Sequence, residues 1–524
     1  MQRAGRGRDE EDGDERMRIG NPLRALARSW GHFVRRPRST QIRTVVLIGA
    51  VVIALVAWVA SAPSSASSSA NTNPSGSSNT GGGGGGGVPV SQASMSSRGV
   101  TAKSINVVFP VVSLNSLAGQ EGFAQDAEYG EQTKAIQLYV HLINKAGGID
   151  GRKINAIIAN YDPASETDMR ALCKTWTEGS PAAFAVLDGL GAWTGDNQLC
   201  VAQEGHTPFI GQWTTVTNWT TEGSPYLWWT GPDQATVLQA VVDWGLSADL
   251  LGGTTKVGVV VGDRASDQLA LHDYLLPDLA RAGVTPVVET IASDPSETAT
   301  TDSQAPLVVQ QLRSDGVTSL VPLVPFNVFY PLLQAETAQA YFPKLLLSDY
   351  ESSIETALGL LPIPYAKALN GQEGVTTETL GGIDDDRPQS QGGYDAGARA
   401  CWVPWHKAYP QVPPGDMEDF LEEQGPVLGW CQAITLFATA ARKAGGDLNR
   451  RTFVTALSTI SDFPGTYTPI LSYGPHKRYG PVEYQVVQLH INSPVSSQCK
   501  LPKNKVPQFT CWVTVQPFAP LPSG

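Results

Sequence analysis

Twelve residues constrain the fold of this chain more than any others: Ile143-Asn144-Lys145-Ala146-Gly147-Gly148-Ile149-Asp150-Gly151-Arg152-Lys153-Ile154. Upstream of them, Ile136, Tyr139, Val140 and Ile143 recur at helical spacing and form one apolar stripe. Gly147 and Gly148 can take the left-handed backbone that ends a helix, and Ile149 is placed to cover the cap. Gly151 permits a tight turn, after which residues 154–159 resume as an apolar strand. With residues 105–112 as a strand ahead of the helix, the unit reads strand–helix–strand.

The same alternation continues along the chain. Further strands are predicted over residues 183–187, 207–211, 256–261, 286–289, 319–323 and 344–347, and helices over 168–178, 234–244, 268–282 and 305–315. Apolar strands separated by helices imply α/β architecture with parallel sheets covered on both faces. Eight or more such units exceed one ordinary sheet, so two lobes are expected. Trp228-Trp229-Thr230-Gly231-Pro232 is the expected first crossing between them.

A length of 524 residues fits more than one domain, and 41 % hydrophobic with 16 % charged residues fits a globular bulk. The net charge of −12 is uneven: eleven Arg against six Asp and Glu give +5 in residues 1–43, which leaves −17 for the rest. An acidic body argues against nucleic acid, because phosphate binding needs a basic face. Residues 44–60 carry no charge and approach the length that spans a bilayer. Eight Arg and no acid in residues 16–43 would keep the N-terminus in the cytoplasm. The alternative, a cleaved signal peptide, meets Pro63 directly after the small residues Ala60-Ser61-Ala62 and an unusually long basic region. The Ser, Ala, Asn and Gly run that follows, with seven glycines at Gly81 to Gly87, has no apolar surface to offset ordering entropy and reads as a tether.

The segment Ile143 to Arg152, with Asp162 after the next strand, resembles the N-terminal signature of type 1 periplasmic binding proteins. The branch it resembles is the leucine/isoleucine/valine-binding one, the branched-chain amino acid ABC transporter substrate-binding family. A second similar stretch runs from Gly393-Tyr394-Asp395 through residues 428–444 to Ala441-Arg442-Lys443-Ala444-Gly445-Gly446-Asp447-Leu448-Asn449-Arg450, where such chains have returned to lobe I. The resemblance implies an α/β, two-lobed periplasmic-binding-protein-like fold of type 1. Its lobes would be parallel-sheet units joined by a three-segment hinge, preceded here by one transmembrane helix. The expected organisation is a basic cytoplasmic segment (1–43), a signal-anchor helix (44–62), a Ser/Gly linker (63–98), the binding domain (99–492) and a tail (493–524). Lobe I would take about 100–230 and 350–464, and lobe II about 231–349 and 465–492.

All six cysteines, Cys173, Cys200, Cys401, Cys431, Cys499 and Cys511, lie beyond the apolar segment, and an even count in an exported domain favours disulfides. Fifteen pairings are open. The resemblance implies a lobe I disulfide at Cys173 and Cys200, and with it sequential pairing. No Cys-x-x-Cys or clustered His supports a metal site, and no cofactor is expected.

The resemblance also implies a ligand held between the lobes on loops that follow strand ends, as in open α/β sheets generally. The first lobe I loop would be Asp188 to Thr194. There Trp193 would stack on a ligand, narrow the cleft or pack within the lobe, and Thr194 would supply a hydroxyl. The second would be Gly211-Gln212-Trp213-Thr214-Thr215, with Thr215 at the ligand-binding threonine, Thr214 at a backbone contact and Trp213 beside them. On lobe II, Asp263 would pair with an ammonium group or serve as a turn residue. Phe326 and Asn327 would form the cleft wall. Asp349, with Tyr350 and Glu351 after it, would bring an acid toward the ligand. The chain lacks the Tyr-Gly that relatives often carry after the strand at 256–261, a departure that counts against an α-amino acid ligand and leaves the resemblance intact.

Enzyme signatures are thin: there is no Gly-x-Ser-x-Gly elbow and no His-Glu-x-x-His. Gly252 to Lys256 precedes its strand and lacks phosphate-loop spacing, and Asp384-Asp385-Asp386 reads as a solvated loop or a calcium-attracting one. The expected function is capture of a small polar solute, an amino acid or related amide or carboxylate, and its delivery to an ABC transporter permease. A membrane-tethered ligand sensor using the same clamp is the alternative, and an extracytoplasmic enzyme the third class. The expected location is the cell membrane, single-pass, with the binding domain outside.

Overall fold

The computed structural model describes residues 88–112, 132–161, 166–188, 197–212, 216–352, 354, 365–379, 396–410, 425–491 and 510–522. The expected membrane span at 44–62 lies outside the described residues. Among the described residues no helix is long and apolar enough to cross a membrane.

The glycine-capped segment ends the helix Gln132–Lys145 as its residues dictate. Gly147 and Gly148 have φ of 104° and 75°, and the Gly148 N–H donates to the Ile143 carbonyl at 2.9 Å, the wider bond of a left-handed cap. A Cβ on Gly148 would stand 2.1 Å from the Arg152 carbonyl oxygen, so only glycine lets the strand turn back so tightly. Asn144 closes the joint by bonding both backbone polar groups of Ile154, at 2.8 and 2.9 Å. Arg152 donates to the Gly446 carbonyl at 2.8 Å, and Arg442 to the Gly148 carbonyl at 3.4 Å. The two stretches that carry the resemblance, 294 residues apart, therefore meet on one face of lobe I.

The first sheet contains β1 (Ser104–Val112), β2 (Lys153–Tyr161), β3 (Ala185–Leu187), β4 (Phe209–Gly211) and β5 (Leu227–Trp229), all parallel, in the order β2-β1-β3-β4-β5. The second begins with β6 (Val257–Gly262), β7 (Val287–Ile291), β8 (Ser319–Leu323), β9 (Lys344–Ser348) and β10 (Glu373–Thr376), parallel in the order β7-β6-β8-β9-β10. Both lobes thus repeat one doubly wound order in which the second strand lies outside the first. After β10 the chain returns to lobe I, adds the short pair β11 (Phe463–Pro464) and β12 (Ile470–Leu471), and re-enters lobe II as β13 (Glu483–Ile491) and β14 (Thr510–Pro520). Those last two strands pair antiparallel beyond β10, so the lobe II sheet is mixed.

Burial explains why the central strands read as unbroken apolar runs. Val260, Leu320, Leu345 and Leu347 pack into the layer with helices Thr298–Ser314 and Phe326–Ala338. Val259, Val261, Val321 and Leu346 face the opposite layer, with helix Gln234–Ser247. Both faces are covered, as a parallel sheet requires. In lobe I the returning helix Gly425–Ala444 places Phe437 against Phe184 and Phe453, and Trp430 edge-on to Phe109.

The structure moves several expected boundaries. β10 pairs with β9, so lobe II extends to about residue 379 and does not end at 349. The third crossing falls near 479–483 instead of 464–465, because Tyr473 and Arg478 still bond lobe I backbone at Ile460 and Trp229. The segment 493–524 is no mere tail: Thr510–Pro520 adds the edge strand. Residues 88–98, expected in the linker, are strapped onto lobe I. Ala93 is buried, the Ser94 N–H donates to the Tyr226 hydroxyl, and the Arg450 and Arg451 N–H groups donate to the Ser96 and Ser94 carbonyls.

Disulfides join Cys173 to Cys200 and Cys401 to Cys431. Each bridge closes a loop of about 30 residues, which stabilises by about 3–4 kcal/mol through the unfolded chain. Cys499 lies outside the described residues.

Candidate solute site between the lobes

Doubly wound sheets bind ligands beyond the carboxyl ends of their strands, where the strand order reverses. In lobe II that point lies between β6 and β8, and the residues there form one hydrogen-bonded wall. Asp267, fully buried, accepts from Arg264 Nε and Nη2 at 2.8 Å each, from the Tyr350 hydroxyl at 2.7 Å and from Ser293 Oγ at 3.3 Å. Gly262 makes this possible, since a Cβ there would stand 2.2 Å from Asp267 Oδ2. Arg264 Nη2 also reaches Glu351 Oε1 at 3.0 Å. Burial works against the guanidinium charge, but Glu351 and Asp267 outweigh it and hold Arg264 firmly protonated. Burial pushes the Glu351 carboxyl upward, against the pull of Arg264. Glu351 sits at φ 49°, ψ 33°, a left-handed backbone uncommon outside glycine that marks a strained position at a strand end.

Of the residues expected on lobe II, Asp263 belongs to this wall: its Oδ1 accepts from the Ser293 N–H at 3.0 Å and from Ser293 Oγ at 3.1 Å. Asn327 joins through Nδ2, which donates to the Ser293 carbonyl at 3.4 Å. Phe326 begins the helix that follows β8. Asp349 is buried and tied elsewhere, its Oδ2 accepting from the Thr377 N–H and hydroxyl at 2.7 and 2.8 Å. Burial raises its carboxyl, and bonds from Thr376 and Thr377 oppose the rise. That places Asp349 as a brace between β9 and β10, while Glu351, two residues on, meets the arginine. Trp193, Thr194, Trp213, Thr214 and Thr215 lie outside the described residues.

On lobe I, the carboxyl ends of β3 and β4 present Asp188 and Gln212. The Asp188 N–H donates to the Ile210 carbonyl at 2.9 Å, and the Gly211 carbonyl accepts from the N–H of Thr230 at 2.8 Å. Gln212 was part of an expected loop but not an expected contact. It is 3 % exposed, and among the described residues neither its Nε2 nor its Oε1 has a hydrogen-bond partner. Its one sequence signal is position, a polar residue directly after an apolar strand.

The lobes are joined at a polar hinge. Asp233 caps helix Gln234–Ser247 and accepts from the hydroxyl of Thr217, on the lobe I helix Thr217–Glu222, at 3.1 Å. Burial raises the Asp233 carboxyl, with Thr236, Thr217 and Lys477 opposing. Tyr274, on the π-helical turn Ala270–Leu275 of lobe II, donates its hydroxyl to Asn218 Oδ1. Lys477 Nζ lies 2.7 to 3.0 Å from the carbonyl oxygens of Ser472, Tyr479, Gly480 and Pro481, which share its three N–H donors, and so pins the third crossing. Burial pushes its ammonium down to about 7, and Asp233 pulls the other way. Among the described residues, no group of His, Cys, Asp and Glu has the arrangement of a metal site.

Two doubly wound lobes joined by three crossings make the type 1 periplasmic-binding fold. Residues 117–372 match the model of the periplasmic binding protein family. The fold of this chain is similar to that of a fatty acid ABC transporter substrate-binding protein from Thermomonospora curvata. The two are 18 % identical, with a TM-score of 0.56 over 80 % of this chain and 93 % of that one. A solute binding protein from R. palustris in complex with benzoate is 15 % identical, with a TM-score of 0.54 over 80 % of this chain and 98 % of that one. A possible leucine/isoleucine/valine-binding protein from Rhodopirellula baltica is 15 % identical, with a TM-score of 0.53 over 74 % and 94 %. A comparison with the curated proteins finds no match. The Thermomonospora curvata and R. palustris proteins are substrate- or solute-binding proteins of ABC transporters.

Proposed function

We propose that the protein captures a small polar solute between its lobes, outside the cell membrane, and delivers it to an ABC importer. A single N-terminal helix would hold it to the membrane with its basic segment in the cytoplasm. One observation carries the reading: at the lobe II switch point Arg264 is locked onto Asp267, and Glu351 and Asp263 remain as partly or fully exposed carboxylates. Such a wall favours the hydrogen-bond-donating end of a polar solute over a purely apolar one. Closure needs contacts from both lobes, because only differential affinity shifts the open–closed equilibrium.

The test is a thermal-shift screen of the purified protein against amino acids, amides, aromatic acids, fatty acids and polyamines. A true solute raises the melting temperature with concentration, and Glu351→Gln and Thr215→Ala each weaken that response. If no compound shifts the melting temperature, the solute-binding reading is wrong. If solutes bind but deletion of the chain leaves their uptake unchanged, the importer role falls and the clamp reading stays.

A further inference from the structure

Residues 88–98 do more than cover lobe I, because their first carbonyl reaches the hinge. The Val88 carbonyl accepts from Ser224 Oγ at 2.6 Å, just ahead of β5, and from Arg478 Nη2 at 3.1 Å, at the root of the third crossing. The rest of the strap is firmly seated. Ala93 is fully buried in the lobe I core, and its carbonyl accepts from Arg451 Nε at 2.8 Å. The Ser94 N–H donates to the Tyr226 hydroxyl at 2.6 Å.

Arg478 ties this strap to the lobes. It is 3 % exposed, its guanidinium lies 5.6 Å from the centre of the Trp228 ring, and among the described residues the Val88 carbonyl is the one hydrogen-bond acceptor of its side chain. The Arg478 carbonyl accepts from the Trp229 N–H at 2.8 Å, which fixes the crossing to the end of the lobe I sheet. The next residue, Tyr479, bridges to Trp229, and its hydroxyl accepts from Thr236 Oγ1 at 3.3 Å, on helix Gln234–Ser247 of lobe II. One short run of contacts thus leads from Val88 through Arg478 and Tyr479 to Thr236. Without the strap a buried guanidinium would have no acceptor and would have to move toward water, carrying the crossing with it.

We infer that residues 88–98 are a hinge strap: their docking on lobe I sets the position of the third crossing and so restricts how the two lobes swing. The chain ahead of Val88, expected to be a membrane tether, then meets the clamp at its hinge, and peeling the strap away loosens the clamp. This goes beyond the solute-binding reading and does not depend on which solute the clamp takes.

The test uses the full chain and needs no solute. Ala93→Asp puts a carboxylate at the buried anchor and releases the strap, whereas Arg478→Met keeps an apolar stem over Trp228 and removes the bond to Val88. Hydrogen exchange is read by mass spectrometry in peptides covering residues 226–236 and 476–484, relative to β6 of the lobe II core. Lobe separation is read from pulsed-EPR distances between labels at exposed Lys174 and Asp302. Each variant should speed exchange in both hinge peptides about ten-fold, as expected for losing one hydrogen bond to a charged group, and broaden the distance distribution. The double variant should exchange no faster than the faster single one, because both break the same link. If Ala93→Asp lowers the melting temperature but leaves hinge exchange unchanged relative to β6, the strap only stabilises lobe I and the inference is overturned. Additive effects in the double variant overturn it too. Tyr226→Phe, which removes only the acceptor of the Ser94 N–H, carries the same comparison where Ala93→Asp does not fold.

Discussion

Glu336 gives the most quantitative test of how this molecule is held together. It lies on helix Phe326–Ala338, is 2 % exposed, and has one carboxyl oxygen, Oε2, buried without a partner among the described residues. Burial raises its pKa from 4.5 to about 8, so the folded protein keeps a proton there that the unfolded chain releases above pH 4.5. The sign follows from proton counting. Between pH 4.5 and about 8 the native state binds one proton more than the unfolded state, so stability falls as pH rises, by about 1.4 kcal/mol per unit. Over that window the loss is on the order of 4–5 kcal/mol, and it stops above pH 8, where both states are ionised. Glu336→Gln is neutral throughout and removes the slope. For a folded body spanning Gly83–Gly524, the variant should melt about 5 °C above the wild type at pH 8.5, with the gap closing near pH 4.5. Differential scanning calorimetry of both proteins across pH 4.5 to 9 measures it. A melting difference that does not grow with pH, or wild-type superiority at pH 8.5, would refute the burial argument.

Gly148→Ala should cost at least about 2–3 kcal/mol, since it combines positive φ with a Cβ 2.1 Å from the Arg152 carbonyl. Gly147→Ala has positive φ but open space and should cost about 1 kcal/mol, so equal urea midpoint shifts for the two would contradict the account. Tyr274→Phe removes one hydrogen bond between lobes and should raise the open-to-closed ratio of the unliganded protein by about five-fold. Pulsed-EPR distances between labels at exposed Lys174 and Asp302 report it, and an unchanged distribution alongside an unchanged melting temperature would count against the contact.

Much of the clamp was legible along the chain because its signals are local. Glycine positions, helical stripes and apolar runs depend on neighbours a few residues away, so the strand–helix alternation and the glycine-capped joint at Ile143 to Ile154 could be read directly. Strands β5 and β10 were missed for the opposite reason. Leu227–Trp229 and Glu373–Thr376 are three and four residues long and gain strand character only from the neighbours they pair with. The same limit displaced the lobe boundaries, since a crossing is defined by which sheet a segment joins. Asp263 and Asn327 were singled out from position after a strand, and both bond Ser293. Asp349 and Glu351 were equivalent on that criterion, and only packing made one a brace on Thr377 and the other a partner of Arg264.

The sequence by itself thus determined the alternation of elements and the joints between them, because those follow from backbone geometry and local periodicity. Tertiary structure alone decided that Arg152 meets Gly446, that residues 88–98 strap onto lobe I, and that the Gln212 amide is buried with both ends unpaired among the described residues. Each of these depends on groups brought together from distant parts of the chain. The cost of leaving a polar group unpaired exists only once folding has removed the water around it.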